Sequence, residues 1–519
     1  MKFFIPAWYS SRHWWESKAE PFYYKHKETA FDDIISLMSM HRQNKQPYAL
    51  IVLNYTPDLR TFLHRYDLFD TSYWSVFDHI QGFKHKTPTA LDYRQLDWPT
   101  GTEFLYLQNM VRALMPDERY ANIHFSEEGY VVWIEIFHQE IQCYRYIFDD
   151  RGYFSSIVYF NEAGQAERQQ YMMYTGDWIL EEDLIEQTVI VNPQYQDAFS
   201  ASTYATMEAI IFEYLAHYEE TMMSQEDCLI VAADHRHNTR ISETFTQQSL
   251  CLSVFHQREQ LSMSHVASMA DDVKWLVDTI ENERLLTTYH SLEGISQRLM
   301  RITPFDAQTL PNISSQLHET YIGVWLDGLE DKIVTAVLAQ LADYLTQDDT
   351  LRVVLLTEKR AHQLDRKIKQ QVESINVQMN EALGKTEMMT DLMEAPPPIK
   401  YITIKHVPFE LDIIEAVTTL RIIVDLSLEP DLFLQICCLS AGLPQINACA
   451  TEYVTHGFNG YILNEGDNLA PALDYYLTQL KNWNQSYAFA MTQAKKYSSN
   501  SIIAQLDTLI EGERDGQKV

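Results

Sequence analysis

The sequence predicts an α/β protein made of two doubly wound parallel sheets, with an antiparallel sheet inserted in the first. Three observations predict it. Continuous apolar runs such as Ala49–Leu53 and Cys228–Ala232 alternate with segments of helical periodicity, the pattern of strands buried on both faces. Between Glu103 and Val191 the period falls to two, with punctuators such as Asp149-Asp150-Arg151-Gly152 and Asn161-Glu162-Ala163-Gly164 between the runs. After Pro193 the strand–helix rhythm returns and repeats, and 519 residues are enough to bury more than one core.

The elements follow in order. Phe3–Ile5 opens the first unit. Phe31, Ile34, Ile35, Leu37, Met38 and Met40 recur at near-helical spacing, and Ala49–Leu53 follows as a strand. The meander contains Tyr130–Ile136, Gln142–Phe148, Ser156–Phe160, Trp178–Leu180 and Val189–Val191. Ala205–Met223 reads as a helix, Cys228–Ala232 and Leu250–Phe255 as strands, Val266–Ile280 as a helix and Arg284–Tyr289 as a short strand. A second unit begins near residue 319. It has strands at Thr320–Trp325, Leu351–Leu356, Tyr401–Lys405 and Arg421–Val424, and helices at Asp331–Leu345, His362–Leu383 and through Val417. Pro396-Pro397-Pro398 reads as a stiff turn. The expected units are therefore 1–102 with 196–315, an inserted sheet at 103–195, a second doubly wound unit at 316–495, and a helix within 496–519 crossing back to the first.

Charge narrows the function classes. Forty basic against 72 acidic residues give a net charge of −32, which repels phosphate backbones and anionic lipid and favours basic partners. No nucleic-acid partner is expected. No run approaches the ~20 apolar residues of a membrane span, and Met1–Trp8 is too short an apolar stretch for a signal peptide, so a cytoplasmic location is expected. Six scattered cysteines without a CxxC pair predict neither a structural disulfide nor a zinc site.

One segment carries a sugar-transfer signal. Ser427–Pro444 resembles the retaining signature of GT-B glycosyltransferases, in which two glutamates eight positions apart precede a Gly-x-Pro turn, here Gly442-Leu443-Pro444. His456–Leu463 resembles that family's Gly-x-Asn-Gly hairpin. The chemical positions depart from the pattern. Counted back from Gly442, the first carboxylate falls on Glu429, but the second, which would hold a donor ribose, falls on Cys437. The phosphate-approaching glycines are replaced by Pro430-Asp431-Leu432. Proline removes an N–H donor and aspartate repels a diphosphate. Asp327 stands where the family places an Arg, and Lys332 is the one basic candidate near it. The loop Pro6-Ala7-Trp8-Tyr9 has no glycine. Glu429, Lys332 and Cys437 therefore read as vestiges, and no catalytic, cofactor-binding or metal-binding residue is assigned. Glu429 is either a cap for a helix starting at Pro430 or a retained ligand contact.

Two further features stand out. Trp8, Tyr9, Trp14, Trp15, Phe22, Tyr23 and Tyr24 form an aromatic stretch that is either core packing or a surface for a sugar or a partner. Trp8, Tyr9, Trp14 and Trp15 are the candidates for that surface. Asp234-His235-Arg236-His237 follows a strand, where α/β ligands bind. It reads as an exposed polar loop, because a metal site would need a third ligand that the sequence does not identify.

The opening Phe4-Ile5-Pro6-Ala7-Trp8-Tyr9, with Val52–Tyr55, Phe62–Arg65, Tyr73–Asp78, Asn122–Phe125 and Phe148–Tyr153, resembles the first of the accessory Sec system proteins. The resemblance implies a cytoplasmic subunit, peripheral at the membrane through the translocase, that binds two sibling accessory proteins and a SecA-type motor. Serine-rich repeat glycoprotein adhesins would be exported. It implies no cofactor and a GT-B-like scaffold that no longer transfers sugar. The alternative is an active retaining glycosyltransferase that modifies the adhesin.

Overall fold

The structure is a computed structural model. It describes residues 1–511 except 12, 24–31, 85, 117, 294–297, 304, 306, 383–397 and 465. Tyr24, Phe31, Leu383, Pro396, Pro397 and residues 512–519, which enter the predictions above, lie outside the described residues.

Three sheets carry the chain. The first is parallel, in the order Leu299–Arg301, Lys274–Val277, Ser249–Val254, Cys228–Ala232, Lys2–Ile5, Tyr48–Val52, Tyr73–Ser75. Its order reverses between Lys2–Ile5 and Cys228–Ala232, so the crevice of a doubly wound sheet falls there. The second sheet is a ten-stranded antiparallel meander that runs in chain order from Glu103–Tyr106 to Thr203–Tyr204. The third is parallel, in the order Ile402–His406, Leu351–Thr357, Thr320–Trp325, Leu420–Asp425, Gln445–Asn447, Gly460–Ile462, and reverses between Thr320–Trp325 and Leu420–Asp425.

The apolar runs become fully buried strands: every residue of Cys228–Ala232 is buried, and Asp331–Leu345 is a helix with Val334, Leu338 and Leu341 facing the core. The helix Asp33–Gln43 begins where Asp32 caps the Ile35 N–H at 3.0 Å. The last helix, Ser499–Glu511, places Ile502, Ile503, Leu506 and Ile510 against Phe4, Ile34 and Leu37 of the first sheet's layer. The halves meet through an apolar cluster of Phe255, Phe305, Leu432, Ile436 and Tyr453.

Two predicted elements are exchanged. Val266–Ile280 is not one helix: a short helix, Met263–Ala267, ends before Asp271-Asp272, and Lys274–Val277 is a strand of the first sheet. Arg284–Tyr289 is not a strand but lies within the helix Ile280–Glu293. Thr287, Thr288 and Tyr289 favour strands, but Glu281 and Glu283 in the first turn offset the helix dipole, and Leu286 is buried by packing. His456–Leu463 is not a hairpin. Gly460–Ile462 joins the edge of the third sheet in parallel with Gln445–Asn447, and Asn459 is buried, donating to the Tyr453 carbonyl.

Candidate functional site

The crevice of the third sheet lies between the loops that leave Thr320–Trp325 and Leu420–Asp425. A diphosphate would need free N–H groups at the start of the helix after Leu420–Asp425. That helix is Leu432–Ser440, two residues later than the sequence suggested, and its cap is Asp431 rather than Glu429. Asp431 accepts from the Leu434 N–H at 2.6 Å. Asp425 accepts from the Ser427 N–H at 3.0 Å, the Ser427 hydroxyl at 2.6 Å and the Asp431 N–H at 3.3 Å. Carboxylates of the chain thus occupy the donors that a phosphate would use. Gly442 ends the helix at φ +73°, where a Cβ would stand 2.2 Å from the Tyr487 ring.

Acidic side chains and one imidazole set the electrostatics of the site. Burial pushes Asp425 up to about 6, against its bonds from Ser427 and Asp431. Burial also raises Asp431, with Asp327 adding to it. Glu410 is raised by burial and by Asp431. From the first half, His256 is lifted above its ordinary value: burial opposes this, but the Asp278 carboxylate at 2.5 Å outweighs it, with Glu452 and Asp431 adding.

The predicted site residues do not converge. Glu429 is exposed, and only its carbonyl is engaged, by the Ser427 hydroxyl at 3.1 Å. Cys437 is buried in an apolar cluster with Trp325, Leu434 and Val407, and burial raises its thiol. It presents no group to a ribose. Lys332 is exposed on the helix Asp331–Leu345. Asp327 is bound from another side: it accepts from the Thr357 hydroxyl at 2.9 Å and the Glu358 N–H at 2.7 Å, and stands 3.7 Å from Lys359. A cavity of about 340 Å³ opens beside it, lined by Asp327, Asp331 and Asp365 against Lys359. Sequence reasoning placed Asp431 as a repelling group but missed that it caps the helix together with Asp425. The Asp425-x-Ser427 turn ahead of Asp431 was the available signal.

The crevice of the first sheet is filled differently. Tyr9, Trp14 and Trp15 are 3 %, 5 % and 5 % exposed, and Trp8 is half-buried against Phe62. Of the two readings of the aromatic stretch, burial favours core packing for Tyr9, Trp14 and Trp15, while Trp8 is only partly covered. Trp15 donates to Glu182 at 2.9 Å, and Tyr171 donates to the other oxygen at 2.9 Å, which ties the first loop to the meander. Burial pushes Glu182 up to about 7. Asp234–His237 is also not the exposed loop expected, because only His235 reaches solvent freely. The Tyr9 hydroxyl donates to His237 Nδ1 at 2.5 Å, and His237 Nε2 donates to the Ala232 carbonyl at 2.8 Å. Burial pushes His237 down to about 4, which fits the neutral tautomer that these bonds require. Arg236 forks onto Asp234 and donates to the Ser10 carbonyl at 2.9 Å.

Comparison with known proteins places this architecture. Two relatives, each named as the first Asp-type accessory Sec system protein, match at full length. One, from Staphylococcus aureus, is 42 % identical over 516 residues, covering 99 % of this chain and 100 % of the relative. One from Streptococcus gordonii is 32 % identical, covering 97 % of each. Among solved structures, the Gap123 glycosylation-associated complex of Streptococcus agalactiae matches with a TM-score of 0.75 at 30 % identity, covering 98 % of this chain and 100 % of that one. Accessory secretory proteins 1, 2 and 3 of Streptococcus pneumoniae match with a TM-score of 0.75 at 27 % identity, covering 98 % and 99 %. The pneumococcal O-GlcNAc transferase GtfA, solved with UDP and GlcNAc, matches with a TM-score of 0.64 at 11 % identity, covering 98 % of each chain. That likeness shows the GT-B fold alone. The family model for the first Asp-type accessory Sec system protein matches residues 1–512, and the chain belongs to that family.

Proposed function

We propose that the chain is a non-catalytic GT-B-like subunit of the accessory Sec export complex. It would bind two sibling accessory proteins and the SecA-type motor so that serine-rich repeat glycoprotein adhesins are exported. One observation carries the loss of catalysis: the phosphate-binding end of Leu432–Ser440 is capped by Asp431 and Asp425. A diphosphate there would meet the carboxylates of Asp425 and Asp431 in place of free N–H donors, at a cost of several kcal/mol, roughly a thousandfold in affinity. The complexes solved for relatives that carry 1, 2 and 3 in their names support sibling partners. Among the described residues no helix is long and apolar enough to cross a membrane. A cytoplasmic location, peripheral at the membrane through the translocase, belongs to the same proposal. On this reading the units are 1–102 with 196–315, 103–195, 316–495 and 496–519.

Affinity capture of the chain from its native cytoplasm, with mass spectrometry, tests the reading. Sibling accessory proteins and the motor are expected. Calorimetry with uridine and guanosine diphosphate sugars is expected to give no isotherm at physiological concentration. Well-fitted micromolar binding, together with capture of a glycosylation machine alone, would instead establish the transferase built on Glu429 and Lys332.

A further inference from the structure

Asp234–His237 lacked a third ligand in the sequence, and the fold supplies one. The loop after Ser249–Val254 brings Glu259 beneath His235, and the short helix Met263–Ala267 brings His265 to the same carboxylate. His235 Nδ1 stands 3.3 Å from Glu259 Oε2 and 3.8 Å from Asp234 Oδ1. His265 Nδ1 stands 3.5 Å from Glu259 Oε1. Ligand atoms from Asp234, His235 and Glu259 all lie within 4.8 Å of one another.

These separations suit a metal. Zinc–nitrogen and zinc–oxygen bonds of about 2.0–2.2 Å at tetrahedral angles set neighbouring ligand atoms about 3.4 Å apart. The charges suit one as well. The side chains of Glu259 and Asp234 are 6 % and 3 % exposed. Arg236 neutralises Asp234 with a two-pronged contact. Glu259 faces the two imidazoles at 3.3 and 3.5 Å, accepts from the His235 N–H at 3.2 Å, and feels the Arg236 guanidinium at longer range. Both imidazoles are about half-exposed or more, and their rings lie parallel with centroids 6.5 Å apart. His265 can therefore swing in without disturbing the core.

The geometry points to a divalent transition-metal site of the zinc class, held by His235, Glu259 and Asp234, with His265 as the mobile fourth ligand. Imidazole nitrogens mixed with carboxylate oxygens are the donor set that borderline first-row ions prefer. The site sits at the carboxyl ends of Cys228–Ala232 and Ser249–Val254, next to the crevice of the first sheet, and is independent of the disabled crevice of the third.

Calorimetry of the untagged full chain with zinc chloride, in a non-chelating buffer at about pH 7.5, tests it. One saturable site of micromolar affinity or tighter is expected, together with a zinc-dependent rise in melting temperature. His235→Ala should weaken binding by at least about tenfold, the size already seen when only an outer partner of a metal ligand is lost, and His265→Ala by less. Both positions are solvent-facing, so the variants should melt like the parent without zinc. Glu259→Gln, in which the amide keeps the shape, should abolish the site. Three results would each overturn the proposal. One is no saturable binding below about 100 μM; another is binding unaffected by His235→Ala and Glu259→Gln. The third is a melting gain that lowering the pH in the presence of a chelator reproduces and zinc does not enlarge, which would make the cluster an imidazolium–carboxylate pair.

Discussion

The two parallel sheets each reverse their strand order once, and each has closed the resulting crevice by different means. In the first sheet the crevice is filled with rings: Tyr9, Trp14 and Trp15 lie in one apolar cluster with residues of the meander, and a neutral His237 links Tyr9 to the strand Cys228–Ala232. In the third sheet it is filled with charge: Asp425 and Asp431 take the backbone donors that open the helix Leu432–Ser440. Packed rings fill one crevice, whereas two capping carboxylates, each open to substitution, fill the other. The difference teaches that two crevices of one GT-B frame can be filled by different chemistry while both sheets stay intact.

The largest expected effect lies in the first crevice. Trp15→Ala removes a buried ring and leaves Glu182 without its indole donor, so it should cost about 3–5 kcal/mol of stability, read as a loss in denaturant midpoint. Glu429→Gln in the other half would then serve as the matched control. If Trp15→Ala melts like the parent, the ring is not core and the contrast between the crevices fails.

His237 of the first crevice and Asp425 of the third should also respond to acid with opposite signs. His237 has a folded pKa of about 4, below its ordinary 6.5. Its contribution is therefore complete above about pH 6.5 and is lost as pH falls towards 4. Asp425 has a folded pKa of about 6, above its ordinary 3.8. Its contribution is complete below about pH 3.8 and is lost as pH rises through 6. Each shift corresponds to at most about 3 kcal/mol. In melting curves between these limits, His237→Gln should make the protein relatively more acid-tolerant, and Asp425→Asn should make it less so. The same direction for both would break the comparison.

Smaller effects test the cap itself. Asp431→Ala should cost about 1 kcal/mol, the usual loss for an N-cap, and should raise the affinity for inorganic phosphate by freeing the Leu434 N–H and removing a negative charge. Unchanged phosphate affinity would show that the neighbouring acids exclude the anion without it. The smallest effect belongs to Glu429→Gln. Its side chain is exposed, so a stability change within about 0.5 kcal/mol and, on the proposed function, adhesin export near the parental level are expected. An export defect in folded Glu429→Gln protein would return the residue to a chemical role.

Legibility followed the range of the forces. The strands Cys228–Ala232 and Thr320–Trp325 and the helix Asp331–Leu345 were legible to the residue, because continuous apolar runs and a 3.6-residue period are local signals. The exchange of helix and strand between 266 and 289 was not. Lys274–Val277 is a short, central strand whose neighbours, Cys251–Val254 and Leu299–Arg301, are chosen by tertiary pairing, and short apolar runs are ambiguous between the two states. The helix start at Leu432 was also missed, although Asp431 is the better cap by type and the turn through Asp425 and Ser427 leads the chain to it.

The sequence by itself supplied the residue types on which the proposed loss of sugar-transfer chemistry rests. Cys437, Pro430 and Asp327 are wrong in kind for binding a donor wherever they point, since a thiol, a residue without an N–H and an anion cannot do the work of a carboxylate, a glycine and a guanidinium. Only the tertiary structure decided what fills the empty places. Trp14 and Trp15 could have been surface or core until Phe212 and the meander's Glu182 closed over them. His235 was a lone imidazole until Glu259 and His265, 24 and 30 positions further along the chain, were folded beneath it. The reason is physical: residue type is written in the chain, but burial and ligand distances are set by which distant strands pair, and no local pattern encodes that pairing.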